Sequence, residues 1–275
     1  MTRLRRVTAF ASVVCVALTC TSAGALTEQQ VIERARKFLK DVGREIPADE
    51  PKAWRLTGDR EPGSWKVNFG YKVELEISDS SSKVLAFGDP EAMRQSRQAE
   101  RPISPEEARR KAAQYVEAAG GFPEGAVFDA LSRRYAALET GEEPLRPMRD
   151  HPAAWFVVWK RLIGTYKVLP DALVVDVNAA TGKLEGLRNG FITPRPSSME
   201  PVVTRALAQA IARRAAPEAA GAPPDRAYVY IQALGYGVGV KTFQRTAVLA
   251  WHFDWPGVFV RVHGGTGEVL EAIRW

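Results

Sequence analysis

The chain has 275 residues, is 45% hydrophobic and 25% charged, and carries a formal charge of +6. Basic and acidic residues are interspersed, and no polybasic tract is interleaved with aromatics, which argues against nucleic acid as a partner in spite of the high isoelectric point. Only two cysteines occur, Cys15 and Cys20, so a disulfide framework is not how this chain is held together.

Residues 1–25 read as a secretory signal. Arg3, Arg5 and Arg6 precede the apolar run Val7 to Leu18, and Ala23-Gly24-Ala25 supplies the small-x-small cleavage pattern, with Leu26 as the expected first mature residue. The apolar run is too short to favour an uncleaved membrane anchor. A lipoprotein centred on Cys20 is disfavoured, because Ala17-Leu18-Thr19-Cys20 lacks the usual Leu three before the Cys and the Gly or Ala just before it. Cleavage removes both cysteines and leaves a charge of +3. The expected product is an exported chain, periplasmic or extracellular, of roughly 250 residues, large enough to rely on its core.

Three segments then follow one plan. The first, 26–92, opens with the capping box Thr27-Glu28-Gln29-Gln30 and the apolar stripe Val31, Ala35, Phe38, Leu39. Next come a weak strand near Ala53–Leu56, the phrase Trp65-Lys66-Val67-Asn68-Phe69, an alternating strand through Val73, Leu75 and Ile77, and a short strand Val84–Phe87. The second segment, 103–192, opens with Ser104-Pro105-Glu106-Glu107 and the stripe Ala108, Ala112, Tyr115, Val116. Its strands are Ala126–Tyr135, Trp155-Phe156-Val157-Val158-Trp159, Leu173/Val175/Val177 and Leu184–Leu187. The third, 202–275, starts its helix at Thr204 with Ala208, Ala212, Ala215 and Ala216. It continues with Arg226–Leu234, Trp251-His252-Phe253-Asp254-Trp255, Val258/Val260/Val262 and Val269–Ile273. An apolar residue precedes each cap: Leu26, Ile103, Val203. Polar linkers fall at Asp89–Pro102 and Thr193–Pro201. Glu139–Pro152 is a loop within the second segment, and Gly235–Thr246 is a glycine-rich hairpin within the third.

Threefold repetition of this kind signals one supersecondary unit used three times. Trp155–Trp159 with Leu173–Leu187, and Trp251–Trp255 with Val258–Ile273, each run from an aromatic phrase through an alternating strand to Thr-Gly-Lys/Glu-apolar. In this the chain resembles the PepSY family; the first segment does so more loosely, because Ser81-Ser82 replaces Thr-Gly. The resemblance implies an α+β fold of tandem cystatin-like modules, each one helix packed on a three- or four-stranded antiparallel sheet. It also implies a role in binding or inhibiting secreted peptidases, or in propeptide-like chaperoning, and offers no catalytic residues to carry over. With no peptidase domain following Trp275, that role would be exerted in trans.

The residues themselves agree with a non-enzymatic reading. His151, His252 and His263 have no metal-ligand spacing, no Gly-x-Ser-x-Gly occurs, and the carboxylate pairs Glu106-Glu107, Glu142-Glu143 and Glu74/Glu76 read as a cap, a loop and a solvated strand row. Gly235-Tyr236-Gly237-Val238-Gly239 lacks the strand-to-helix setting of a phosphate loop. No catalytic residue, metal or cofactor is therefore expected. Period-two alternation assigns Trp155, Trp159, Trp251 and Trp255 to the face that a helix covers. The expected function is protein binding, with a secreted peptidase as the sharpest candidate partner, through a sheet edge or the hairpin. Gly235, Tyr236, Gly237, Trp251 and Trp255 are the candidate partner-binding residues. The alternatives are a small-molecule or glycan binder using a concave sheet face with Tyr228, Tyr230 or Trp251, and a purely structural envelope protein.

Overall fold

The computed structural model describes residues 25–56, 63–96, 99–134, 152–191, 193–219, 221–234 and 246–275. The signal up to Gly24, both cysteines, His151, most of the Glu139–Pro152 loop, and the hairpin with Gly235, Tyr236 and Gly237 lie outside them. Among the described residues no helix is long and apolar enough to cross a membrane.

Helix α1 (Glu28–Asp41) starts where Thr27 Oγ1 accepts from the Gln30 N–H and Gln30 Oε1 accepts from the Thr27 N–H at 2.9 Å, and it buries Val31, Ala35, Phe38 and Leu39. It is followed by β1 (Pro51–Leu56), β2 (Ser64–Phe69), β3 (Val73–Ser78) and β4 (Val84–Gly88). The stretch read as a linker contains a helix of its own, α2 (Pro90–Gln95), whose first turn is capped by Asp89 through the Ala92 N–H at 2.7 Å. Helix α3 (Pro105–Ala119) has Ser104 as its cap and precedes β5 (Ala126–Arg134), β6 (Ala154–Ile163), β7 (Tyr166–Asn178) and β8 (Leu184–Asn189). Helix α4 (Arg205–Ala215), capped by Thr204, precedes β9 (Arg226–Leu234), β10 (Thr246–Trp255), β11 (Val258–His263) and β12 (Val269–Arg274).

The strands do not form three small sheets, each under its own helix, and the predicted fold class is corrected on this point. All twelve strands of the described residues belong to one mixed sheet. β4 pairs with β8 through Ala86–Gly88, so β1-β2-β3-β4-β8-β7-β6-β5 is a continuous run. Helices α1 and α3 lie over it and share one core, in which Phe38, Phe69, Ile77 and Phe87 are continuous with Trp155, Trp159, Val175 and Leu184. Arg34 of α1 donates to the carbonyls of Ser82 and Ala118, tying the first segment to α3. The reason is a matter of edges: a β4 edge left unpaired would expose a row of backbone N–H and C=O groups, and β8 satisfies three residues of it.

β9–β12 with α4 have a separate core of Val203, Ala208, Ala212, Phe253, Trp255, Val258, Val260 and Val262. They join the sheet through β7, which outruns β8: Val168 and Leu169, near its start, pair in parallel with Ile231 and Gln232. Buried Asp171 holds the place where β7 exchanges neighbours. Its carboxylate accepts from the Thr193 hydroxyl at 2.5 Å, from the Thr193 N–H at 3.2 Å and from Arg161 at 3.2 Å, while Arg161 also donates to the Thr193 carbonyl at 2.6 Å. Removing the carboxylate strands a largely buried guanidinium. Asp171→Ala is therefore expected to cost about 3 kcal/mol, read as a lowered urea midpoint by tryptophan fluorescence.

Candidate functional site

The tryptophan rows are largely consumed by packing. Trp155, Trp159 and Trp255 are buried, and Trp251 is half-buried. The indole N–H groups of Trp155, Trp251 and Trp255 are also engaged, and the first tryptophan of each phrase ties a helix entrance to the sheet. The Trp155 indole N–H donates to the carbonyl of Ile103 at 3.1 Å, and that of Trp251 donates to the carbonyl of Val203 at 2.8 Å. Ile103 and Val203 each precede a helix cap, and their own N–H groups donate to Ala179 and Gly264, just past β7 and β11. In the first segment Asp79 takes both roles, accepting from the Trp65 indole at 3.3 Å and from the Leu26 N–H at 2.6 Å. Trp255 donates to the Ala222 carbonyl at 3.3 Å. Of the five candidate partner-binding residues, then, Trp251 and Trp255 sit between sheet and helix, and the glycine-rich three lie outside the described residues.

With the helix side of the sheet so alike in all three segments, their differences fall on the opposite side. Strand register aligns three rows there: Lys66–Glu76–Ala86, Phe156–Asp176–Gly186, and His252–Arg261–Glu271. A bulge at the same place in each segment skips one residue of the last strand: Leu85, Glu185 and Leu270. The first row is a half-exposed set in which Lys66 pairs with Glu74 at 2.7 Å. The other two are not.

In the second segment Glu185 is almost fully buried, accepts from Asn178 Nδ2 at 2.6 Å and is paired with Arg134. Asp176 lies beside it, with Oδ1 buried and without a hydrogen-bond partner among the described residues. Burial pushes the Asp176 carboxyl up from 3.8 to about 7, with Arg134 lowering it and Glu185 raising it. Gly186 leaves no room for a side chain there, since a Cβ on it would stand 2.7 Å from Met93 Cε of α2 and 2.8 Å from Asp176 Oδ2. Asp176 reads in sequence as an outward strand residue; the sign of something else was Glu185, a carboxylate where the other two segments have leucine.

The third segment carries an aromatic row. His252 is stacked on Tyr228 with centroids 4.8 Å apart and lies 5.2 Å from Phe259, which lies 5.9 Å from Trp275. Arg261, paired with Glu271, lies over Phe259 at 4.7 Å. Tyr228 and Trp275 are exposed, whereas Tyr230 is buried and burial raises its phenol pKa. His263 is a turn residue: Nδ1 accepts from the Gly265 and Thr266 N–H groups, as Asn178 Oδ1 does from Ala180 and Thr181. Among the described residues no group of three or more His, Cys, Asp or Glu is arranged to hold a metal ion.

The sheet also has open edges. Among the described residues β1, β5 and β12 each pair with one strand only. β1 begins at Pro51 and carries Lys52 and Arg55, features that discourage pairing, and β12 is short. β5 runs for nine residues, exposes Val127 and Phe128, and is interrupted by a bulge at Asp129. Beyond that bulge Ala130–Arg134 pairs regularly with Val158–Ala154.

No protein-family model matches the chain, and no curated protein is similar to it. Among solved structures, the Bacillus megaterium YpeB C-terminal domain aligns with 91% of this chain and 98% of its own length, at 10% identity and a TM-score of 0.48. A likeness at that level carries no argument about function. The PepSY resemblance rests on the residues quoted for it.

Burial, then the charge of Arg261, lowers the pKa of His252 below its ordinary 6.5. The native chain thus holds its imidazole neutral where the unfolded chain takes up a proton, so stability contributed by this site is present above about pH 6.5 and lost as pH falls below it. His252→Phe, which keeps a ring between Tyr228 and Phe259, is expected to show a shallower fall in urea midpoint between pH 6.5 and 5 than the parent chain.

Proposed function

We propose that this chain is an exported, non-catalytic PepSY-like protein that binds a protein partner by strand addition at the β5 edge, with a secreted peptidase as the partner class. The observation that carries the reading is the β5 edge itself: a long strand with one side unpaired among the described residues and apolar side chains exposed beside it. A docked strand would satisfy the outward N–H and C=O groups, and Val127 and Phe128 would add apolar contact, with the Arg109 guanidinium 4.0 Å above the Phe128 ring. The family resemblance supports the choice of partner. The signal-like residues up to Ala25 support export.

Outward and inward N–H groups alternate along an antiparallel edge, so one of the neighbours Ser132 and Arg133 points its N–H away from β6. Of Ser132→Pro and Arg133→Pro, the variant that leaves the thermal midpoint unchanged is expected to abolish capture of a peptidase from the native secreted fraction. Recovery of no peptidase by the parent chain, together with unchanged extracellular proteolysis after deletion, would refute the peptidase reading. Equal capture by both proline variants would refute the edge.

The aromatic row of the third segment favours a second reading, a small-molecule or glycan binder. Stacked, partly exposed rings beside Arg261 and Glu271 offer a flat apolar surface with a polar margin. Tyr228→Ala with Trp275→Ala would then lose glycan-array binding that the parent chain displays; an array on which the parent binds nothing removes the glycan form of the reading.

A further inference from the structure

Buried Glu185 and half-buried Asp176 of the second segment lie where α2, β5 and β8 meet. α2 is fastened there at both ends: the Asp89 N–H donates to the Glu185 carbonyl at 3.2 Å, and Ser96 Oγ, which donates to Ala153 at 3.1 Å, accepts from Asn178 Nδ2 at 3.4 Å. The same Asn178 amide holds Glu185. From the other side Arg134, in the last residue of β5, crosses over Phe156 to reach Glu185. One guanidinium therefore stands against two carboxylates, and Glu185 has it. Among the described residues Asp176 Oδ1 has no partner, and Arg134 Nε is buried and unpaired as well. Of the other charges on these elements, Glu91 and Arg94 of α2, Arg188 of β8 and Arg133 of β5 are exposed, Arg133 lying over the Trp155 ring, while Asp129 of β5 is paired with Lys167 and Asp89 with Arg44.

We propose that Asp176, Glu185 and Arg134 form a proton-controlled joint that fastens α2 and the end of β5 to the sheet, tight with Asp176 neutral and loosened when it is charged. A second negative charge here has no cation of its own among the described residues, and its buried Oδ1 has no hydrogen-bond donor to replace water. The direction follows from burial of the carboxyl, which ordinarily titrates near 3.8 and here is raised to about 7. Between those values the native chain keeps a proton that the opened chain has released. Stability at the joint is thus complete at the acidic end, falls as pH rises, and is level above about 7.

Amide exchange followed by mass spectrometry, corrected for the intrinsic pH dependence, tests this on the full chain. The opening constant of α2, β8 and the end of β5 is expected to rise on the order of 10²–10³-fold between pH 4 and 7. Asp176→Asn, which mimics the neutral acid, is expected to flatten that rise. Glu185→Gln is expected to flatten it too, by releasing Arg134 to pair with Asp176, a result that desolvation alone would not give. Equal pH slopes in parent and Asp176→Asn, or a rise spread evenly over β9–β12, would overturn the proposal. Should Glu185→Gln fail to fold, the Asp176→Asn comparison decides.

Discussion

The constraint on which the rest depends is the tether between each helix entrance and the sheet beneath it. A helix laid on a sheet by apolar contact alone is free to slide, because burial is non-directional. Here the residue before the cap is bonded on two sides in the second and third segments: its carbonyl takes an indole N–H from the aromatic phrase, and its N–H goes to the residue just past the third strand. In the first segment Asp79 makes both links through one carboxylate. Each bond is directional and is shielded by the ring that supplies it, so the helix is fixed in position as well as held down. The tryptophans are therefore repeated for geometry as much as for bulk.

Fixing one side of the sheet three times leaves the other side free to differ. The first segment places a lysine and glutamates there, solvated and paired at the surface. The third places a stack of rings around His252. The second places a carboxylate in a bulge where its counterparts have leucine, and uses a six-residue helix to close it off. Each choice is compatible with the same inner packing, because side chains on successive strand positions point to opposite faces and the helix senses only one of them. Chemistry that departs from the repeat is thus found on the side the repeat does not constrain.

Local rules made much of the chain legible. Thr27, Ser104 and Thr204 announce helix starts through bonds that span three residues, and the Trp phrases announce their face by alternation. α2 was equally announced, since Asp89-Pro90 is a cap followed by proline at the first helical position; in a stretch of proline and arginine it reads as linker. Asp176 was hidden for a different reason. Alternation placed it outward, correctly, but outward meant solvated only until α2 and Arg134 covered it. The bulge that brings Glu185 beside it also breaks the period by which a reader would pair the two.

By itself, then, the sequence determined the repeated unit: where each helix begins, which strand residues face it, and which positions carry an indole. These follow from contacts within a few residues or from strict periodicity. Tertiary structure alone decided that the twelve strands of the described residues share one sheet, that β4 meets β8 and β7 meets β9, and that two carboxylates compete for one arginine. Those outcomes rest on backbone hydrogen bonds at strand edges, which every residue type but proline can make and which leave no mark in side-chain pattern, and on a bulge that shifts register by a single residue.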